Sequence, residues 1–301
     1  MMNKSFYFSY KKILFILLPA VLVTAILLFA LSFFVGYESY ENVRYGDSDS
    51  NVMDIYIPKK AYKCENNGCV MFIHGGSWSG GDKAEEELRC RLFASRGYVA
   101  VTVNYTLWSE ESEHYTVFKV LDELDAALAK TREFAADRGI KLNTAALCGY
   151  SAGAHLATLY SYSKAESAPM EIAFVSTMAG PLDIRSEIWG DDMTARIAKL
   201  LTGREITEEM YSTAEAYAIL DSISPVAYVN ESTVPTLIIQ GGNDYVVLKE
   251  NADSLAKKLS ENSVPYEYVY LENSDHSLLQ NPIKHLGYYK IMLGYCEKYF
   301  Q

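Results

Sequence analysis

The amino-acid sequence predicts an α/β protein with a mostly parallel central sheet, helices on both faces of the sheet and a small helical cap. Strand-like and helix-like segments alternate from about residue 69 onward, and several strand-like runs are continuously apolar. Such runs are typical of strands covered on both faces, as in parallel sheets. Alternating strands and helices favour the βαβ connections of such a sheet. One segment, residues 181–234, interrupts this rhythm and predicts the cap.

The strands and helices follow from the hydrophobic pattern. Val52–Ile57 alternates apolar and polar residues and stops at Pro58, whereas most later runs are apolar throughout. The strand-like segments are Val52–Ile57, Cys69–Ile73, Tyr98–Tyr105, Thr144–Cys148, Ile172–Met178, Thr236–Gln240 and Tyr266–Leu271. The helix-like segments are Lys83–Arg96, Tyr115–Arg138, Ala152–Ser163, Met193–Leu201, Glu208–Leu220, Leu248–Asn262 and Lys284–Tyr299.

Composition and charge exclude several classes of protein. The chain has 301 residues, 50% of them apolar and 22% charged, with 8 Pro and 18 Gly, which excludes a disordered, collagen-like or low-complexity protein. Three of the 27 Lys and Arg lie in residues 1–36 and all 38 Asp and Glu follow, so residues 37–301 carry a formal charge of −14. Because such a domain repels phosphate backbones, we expect no nucleic-acid partner.

The N-terminal segment from Ile13 to Val35 has 23 residues and no charge. As a helix it would be roughly 35 Å long, enough to cross the hydrocarbon core of a membrane. Lysines precede it and glutamates follow it, which predicts a cytoplasmic N-terminus, a single-pass anchor in residues 1–36 and an extracytoplasmic catalytic domain in residues 37–301. The alternative is a signal peptide cleaved near Ala30-Leu31-Ser32, which would leave a secreted protein.

The five cysteines are an odd number for an exported domain. Cys64 and Cys69 flank a turn-like stretch and allow a local disulfide. The alternative is that all five are small, mostly buried apolar side chains. The cysteine and histidine spacings do not match a metal site, and we expect none.

The strongest functional signal is Gly149-Tyr150-Ser151-Ala152-Gly153, placed where a predicted strand meets a predicted helix. In this context G-x-S-x-G is a nucleophile elbow, a turn so sharp that only glycine leaves room on either side of the serine. The strained turn lifts the Ser151 hydroxyl above the sheet, and the helix N-terminus behind it favours developing negative charge.

A second signal, His74-Gly75-Gly76-Ser77-Trp78, directly follows a predicted buried strand. Acyl transfer passes through a tetrahedral oxyanion, and a glycine-rich loop can turn its amides toward that charge. The amide of Ala152, which follows the predicted nucleophile, would supply another donor. His74 belongs to this loop, and we expect its side chain to support the loop.

The general base and its carboxylate are predicted from their positions after late strands. His276 is the histidine on a loop at the carboxyl end of such a strand, where open α/β sheets bind ligands, and neutral imidazole accepts a serine proton near pH 7. Asp244 follows the strand Thr236–Gln240, and Asp183, one strand earlier, is its rival. The carboxylate would orient the imidazole and stabilise imidazolium.

The motifs HGGSW, GYSAGAHLA, GGNDYVV and SDH occur in this order and resemble the α/β-hydrolase superfamily, in particular its esterase/lipase branch of hormone-sensitive-lipase-like and acetyl-esterase-like carboxylesterases. The likeness covers roughly residues 40–301, including DIYIP before the first motif. HGGxW differs from the HGGG form and looks more like arylformamidase and prenylcysteine methylesterase relatives. The resemblance implies a catalytic triad of Ser151, Asp244 and His276, and an oxyanion hole of the Gly76, Ser77 and Ala152 amides with Gly75 shaping the loop.

The sequence therefore predicts a serine carboxylic-ester hydrolase that acts on a small-molecule ester through an acyl-enzyme and needs no metal or cofactor. Trp78, Trp108 and the cap around Trp189 are candidates to line an apolar pocket, the alternative being plain core aromatics. An amidase, peptidase or aryl-formamidase would use the same machinery. A non-catalytic, membrane-tethered hydrolase-like binding module is the remaining alternative.

Overall fold

A computed structural model describes residues 36–65, 67–112, 115–280 and 282–300. Within these residues eight strands form one sheet. They are β1 (Tyr37–Arg44), β2 (Val52–Pro58), β3 (Asn67–Ile73), β4 (Val99–Val103), β5 (Leu142–Tyr150), β6 (Glu171–Met178), β7 (Thr236–Gly241) and β8 (Tyr266–Leu271). The sheet order is β1-β2-β4-β3-β5-β6-β7-β8, in which the first two pairings are antiparallel and all later ones parallel. The predicted mostly parallel sheet is therefore confirmed.

The helices connect the strands and cover both faces of the sheet. They are α1 (Glu87–Ser95), α2 (Val117–Ala136), α3 (Ala152–Ser163), α4 (Ser186–Trp189), α5 (Asp191–Thr202), α6 (Ala214–Ile223), α7 (Glu250–Glu261) and α8 (Pro282–Tyr299). Apolar residues of α2, α3 and α7 bury one face of the sheet, and those of α1 and α8 bury the other. Successive residues of β3 alternate between the two cores, Met71 in the first and Phe72 in the second. This arrangement explains why the central strands are apolar throughout.

The sequence patterns missed the edge strand β1. Most of its side chains are exposed or half-buried, so it lacks the apolar pattern of a covered strand. It pairs antiparallel with β2 and contains a bulge between Tyr40 and Val43. There the backbone N–H of Asn42 donates to the Asp54 carboxylate over 2.8 Å. The β1 edge therefore depends on a buried side chain of the next strand.

The same Asp54 anchors the chain that leaves the HGGSW loop. Lys83 Nζ lies 2.8 Å from both carboxylate oxygens of Asp54, and both residues are buried. The backbone around Lys83 is also held by β4 and its following residue, since Asn104 accepts from its N–H and Thr102 donates to its carbonyl. One buried ion pair thus joins β2 to the segment that follows the loop.

Residues 181–234 form α4, α5 and α6 between β6 and β7. The predicted helix Met193–Leu201 is observed as Asp191–Thr202, whereas Glu208–Leu220 is divided into a short 3₁₀ turn at Glu208–Met210 and α6. Thr213 separates the two parts because its side chain caps α6 by accepting from the Ala216 N–H. Division of the chain into an anchor, a catalytic domain and a cap insertion stays a prediction.

The predicted membrane anchor in residues 13–35 lies outside the described residues. Among the helices that the structure describes, none combines the length and the apolar character that crossing a membrane requires.

All five cysteines lie in the described part of the chain, and all are free. A Cys64–Cys69 disulfide is therefore not formed in this structure. Cys64 is exposed beside the turn, whereas the Cys69 side chain is fully buried in the core beneath β3. Cys90, Cys148 and Cys296 are likewise buried, as expected of small apolar side chains.

Replacement of Lys83 with Met tests the buried ion pair. The change would leave the Asp54 carboxylate buried without its cation, so we expect the free energy of unfolding to fall by about 3–5 kcal/mol. Urea unfolding followed by circular dichroism measures it. The matched control is Lys130→Met, which removes the half-buried partner of the exposed Glu133 and should change stability by less than about 1 kcal/mol. Equal effects of the two substitutions would show that burial of the Lys83 pair does not matter.

Candidate active site

Ser151 lies on the turn between β5 and α3 in a strained backbone conformation. Its φ is 54° and its ψ is −121°, a region that side-chain-bearing residues rarely adopt. The turn is tight on both sides, because a Cβ on Gly149 would lie 2.1 Å from the Gly153 carbonyl oxygen. A Cβ on Gly153 would lie 2.1 Å from the Ile73 carbonyl oxygen. Glycine is therefore required at both flanking positions, as G-x-S-x-G predicts.

The structure brings together the three distant side chains that the sequence indicates. His276 Nε2 lies 3.0 Å from Ser151 Oγ, and His276 Nδ1 lies 2.8 Å from Asp244 Oδ2. Asp244 and Ser151 are buried, while the His276 side chain retains 19% exposure. These distances allow a proton to pass between Ser151 and His276 while Asp244 orients the imidazole.

Both oxygens of the Asp244 carboxylate accept hydrogen bonds from its own loop, from its own strand and from His276. Its Oδ1 accepts from the backbone N–H groups of Val246 and Val247, each over 2.9 Å. Its Oδ2 accepts from Gln240 Nε2 over 3.2 Å in addition to His276. Such hydrogen bonds hold the carboxylate in place and compensate for its burial. The sequence does not predict this role of Gln240, because a glutamine near the end of a strand belongs to no recognisable motif.

The rival carboxylate Asp183 lies elsewhere. It forms an ion pair with Arg185 Nε at 3.1 Å and accepts from the Ser254 hydroxyl of α7. Asp275 is half-buried and accepts from the backbone N–H and the hydroxyl of Ser277 in its own loop. Asp244, and not its rival Asp183, is therefore the carboxylate that contacts His276.

Tyr150 occupies the first x position of G-x-S-x-G and contacts the loop that carries His276. Its hydroxyl donates to the His276 carbonyl oxygen over 2.9 Å, and the two rings lie 5.3 Å apart. Burial raises the pKa of Tyr150 to about 12, so the phenol stays protonated and able to donate at neutral pH. This contact links the strand that carries the nucleophile to the loop that carries the base. The sequence does not predict this contact, because His276 lies 126 positions from Tyr150.

The HGGSW loop approaches the nucleophile through three consecutive residues with positive φ. Gly76, Ser77 and Trp78 have φ of 107°, 52° and 60°. A Cβ on Gly75 would lie 3.0 Å from the Tyr150 carbonyl oxygen and 3.1 Å from Ser151 Cβ. The loop thus lies directly against the nucleophile turn, and Ser77 and Ala152 line the same cavity.

The buried His74 opens this loop and contacts Tyr105. The His74 ring stacks on Tyr105 with centroids 4.4 Å apart, and the Tyr105 hydroxyl donates to the His74 carbonyl over 2.9 Å. These contacts hold the His74 ring and backbone at the start of the loop, and its role as a support for the loop stays a prediction.

His155 of α3 holds Trp78. The Trp78 indole N–H donates to His155 Nδ1 over 3.2 Å, and His155 Nε2 lies 2.7 Å from the Ile223 carbonyl oxygen. This pairing requires the neutral tautomer with the proton on Nε2. Burial lowers the pKa of His155 to about 4, partly opposed by the Ile223 hydrogen bond. One neutral imidazole thus joins the loop to the end of α6.

A cavity of about 270 Å³ opens onto Ser151. Ser77, Trp78 and Ala152 line it together with residues of the 181–234 segment. Its apolar side chains come from three separate segments: Trp78, Pro181, Trp189, Met193, Ile197, Leu200, Val246 and Val247. Two of the three candidate tryptophans, Trp78 and Trp189, line it. Trp108 instead packs against the core, and its backbone N–H donates to the Trp78 backbone carbonyl.

Comparison with known proteins places these features in a family. The model of the BD-FAE family matches residues 53–259. The chain is 24% identical to "Esterase LipC" of Mycobacterium tuberculosis over 234 residues, which cover 74% of this chain and 55% of that protein. It is 31% identical to the "Probable isoprenylcysteine alpha-carbonyl methylesterase ICME" of Oryza sativa subsp. japonica over 146 residues, 46% of this chain and 34% of that protein. The chain thus spans about half or less of the length of these two relatives.

The fold is also similar to solved esterase structures. Esterase B from Lactobacillus rhamnosis superposes with a TM-score of 0.68 over 95% of each chain, at 19% sequence identity. This likeness and the sheet topology confirm the predicted α/β-hydrolase fold.

The buried neutral His155 predicts a specific acid sensitivity. Its pKa is about 4 in the folded protein and near 6.5 when unfolded. The unfolded chain therefore binds more protons below pH 6.5, and stability falls as the pH drops from 6.5 toward 4. Between pH 7 and pH 4.5 we expect wild type to lose about 2–3 kcal/mol more than His155→Gln, whose neutral amide does not titrate.

Urea unfolding of both proteins at the two pH values measures this difference. Carboxylates titrate alike in the two proteins, so their contribution cancels. Parallel pH dependences of wild type and His155→Gln would contradict a buried neutral imidazole.

Proposed function

Because the chain belongs to the BD-FAE family, within the esterase/lipase branch of the α/β-hydrolase superfamily, we propose that it is a serine carboxylesterase acting on a small-molecule ester. The hydrogen-bonded series Ser151–His276–Asp244, with separations of 3.0 and 2.8 Å, carries this proposal. The strained turn at Ser151 and the adjoining HGGSW loop support it. The chemistry requires no metal or cofactor.

Acylation begins when Ser151 Oγ attacks the ester carbonyl carbon and its proton passes to His276 Nε2. The carbonyl π electrons move to oxygen and form a tetrahedral oxyanion. Amides of Gly76, Ser77 and Ala152 are proposed to donate to this oxyanion, aided by the N-terminal dipole of α3. As the C–O bond to the alcohol breaks, His276 returns the proton to the leaving alkoxide, which leaves an acyl ester on Ser151.

Deacylation repeats these steps with water as nucleophile. His276 removes a proton from water, the hydroxide adds to the acyl carbon, and the tetrahedral intermediate collapses. The bond to Ser151 Oγ breaks and His276 returns the proton to that oxygen, so a carboxylic acid leaves and the enzyme is restored. Asp244, held by the Val246 and Val247 amides, stabilises the imidazolium in both halves of the reaction.

Substitution of Ser151 with Ala tests the nucleophile. The variant lacks the attacking oxygen, so hydrolysis of 4-nitrophenyl butyrate should fall by about 10⁴-fold or more, and a fluorophosphonate probe should no longer label the protein. Circular dichroism verifies the fold. The control is Ser163→Ala, at the exposed end of the same helix, whose hydroxyl bonds only the Leu159 carbonyl. Unchanged turnover in Ser151→Ala would refute the serine mechanism.

The same experiment separates the alternative activities. An amidase or aryl-formamidase would turn over an aryl formamide or a 4-nitroanilide faster than the matched ester, again through Ser151. A non-catalytic binding module would hydrolyse none of these and would not react with the fluorophosphonate probe. Esters of graded chain length then define how much acyl group the cavity of about 270 Å³ accepts.

We also propose that residues 1–36 anchor the chain as a single span, with the catalytic domain outside the cytoplasm. The uncharged run Ile13–Val35 and the lysines before it support this topology. The alternative is secretion after cleavage of the segment as a signal peptide.

Charges introduced into the segment test the anchor. The double variant Leu22→Arg/Leu27→Arg adds about 2.5–3.5 kcal/mol of insertion cost per charge near the middle of a span. The full wild-type chain should resist extraction of membranes with alkaline carbonate, whereas the double variant should not. Leu88→Arg, at an exposed position of α1, is the control and should stay membrane-bound. A wild-type chain recovered outside the cell and beginning just after Ala30-Leu31-Ser32 would support secretion instead.

A further inference from the structure

The cavity above Ser151 contains a single charged side chain among its lining residues, that of Arg196. The remaining wall consists of apolar side chains together with Ser77, Ala152 and Ser151 itself. Arg196 is exposed, so water solvates its guanidinium when the cavity holds no ligand. It is nevertheless the lining residue that can form an ion pair with an anionic substrate.

Arg196 belongs to the face of α5 that lines the cavity. Met193, Ile197 and Leu200 stand three and four positions from it, a spacing that places all four side chains on one face of a helix. The sequence pattern alone did not indicate this role, since an arginine within an amphipathic helix ordinarily belongs to the solvated face.

Arg196 also has no internal counter-ion among the residues that the structure describes. The other two cap arginines do: Arg185 lies 3.1 Å from an Asp183 oxygen, and Arg204 lies 2.7 Å from a Glu215 oxygen. Across the described ranges, no carboxylate oxygen lies within 4.0 Å of the Arg196 guanidinium. The guanidinium is thus available to a ligand.

Acidic side chains limit how much negative charge a ligand can carry. Arg196 also lines an open cavity of about 1050 Å³ together with Asp191, Asp192 and Glu208. These carboxylates and the net charge of the domain disfavour an extended polyanion. One carboxylate that reaches Arg196 from within the catalytic cavity avoids that repulsion, and the planar guanidinium fits it with two parallel hydrogen bonds.

From these observations we propose that the esterase prefers substrates with a carboxylate close to the scissile ester, and that Arg196 binds this carboxylate. The inference rests on the proposed ester hydrolysis at Ser151. The cavity has a volume of about 270 Å³, equal to that of roughly nine waters in bulk liquid. Because a ligand of this size is small, only a short spacer separates its carboxylate from its ester. The carboxylate stands on either the acyl or the alcohol side, and the experiment distinguishes the two.

The experiment compares matched anionic and neutral esters. On the acyl side the pair is mono-4-nitrophenyl glutarate and 4-nitrophenyl pentanoate, and on the alcohol side it is 4-acetoxybenzoate and 4-acetoxybenzamide. The measured quantity is the ratio of kcat/KM for the anionic ester to that for the neutral ester. Intrinsic reactivities cancel when this ratio is compared between wild type and Arg196→Gln.

We expect Arg196→Gln to lower this ratio by about 10- to 100-fold in one of the two pairs, as expected for loss of a charge-assisted hydrogen-bonded pair. The loss should appear in the KM of the anionic ester, and the ratio removes any change in kcat/KM that the substitution causes for both esters alike. Arg196→Lys, which keeps the charge without the planar fork, should restore part of the ratio. The control Arg204→Gln, on the same cap but paired with Glu215, should leave it unchanged.

An unchanged ratio in both pairs would overturn the role of Arg196 while leaving ester hydrolysis intact. If wild type hydrolyses no ester through Ser151, the proposed function fails, and binding is then measured directly. Trp78 and Trp189 line the cavity, so benzoate and monomethyl glutarate, which each carry one carboxylate, should quench tryptophan fluorescence in Ser151→Ala and not in Ser151→Ala/Arg196→Gln. Equal titrations of these two variants would reject the carboxylate site as well.

Discussion

The positive φ of Ser151 is the constraint on which the rest of the site depends. A turn this sharp between β5 and α3 excludes a side chain at Gly149 and Gly153, and it places the Ser151 hydroxyl at the N-terminus of α3. The central strands β3, β5, β6, β7 and β8 run parallel, so the loops that follow them meet at the same edge of the sheet. The strained serine therefore faces the loops that carry its partners.

The polar groups around Ser151 form a network that leaves little freedom. Asp244 is buried, but two backbone amides donate to its Oδ1, and the Gln240 amide shares its Oδ2 with His276. Tyr150 holds the backbone of the His276 loop to the nucleophile strand. A buried network of this kind is stable only when all its members have partners. Preorganisation of this kind is what acyl transfer requires, because the reacting groups need no rearrangement as charge develops.

The lining of the cavity above Ser151 differs in character from the rest of the domain surface. Residues 37–301 are strongly acidic, yet the cavity above Ser151 is apolar and carries one arginine. Carboxylates more than about 10 Å from a ligand repel it little at physiological salt, and the nearer Asp191, Asp192 and Glu208 line the neighbouring open cavity with Arg196. Selectivity for a singly charged ester is thus compatible with an acidic surface.

The sequence by itself determined the sheet, the nucleophile turn and the HGGSW loop, because these features follow from local patterns: continuous apolar strands, glycines at a turn, and a serine between strand and helix. It left Asp244 and Asp183 as rivals, and it missed β1, Gln240, Tyr150 and Arg196. Only the tertiary structure decided these, since each depends on a partner from another segment or on which helix face meets the cavity. Local propensity is set by near neighbours in the chain, whereas burial and hydrogen-bond pairing are set by packing of the whole sheet with its helices.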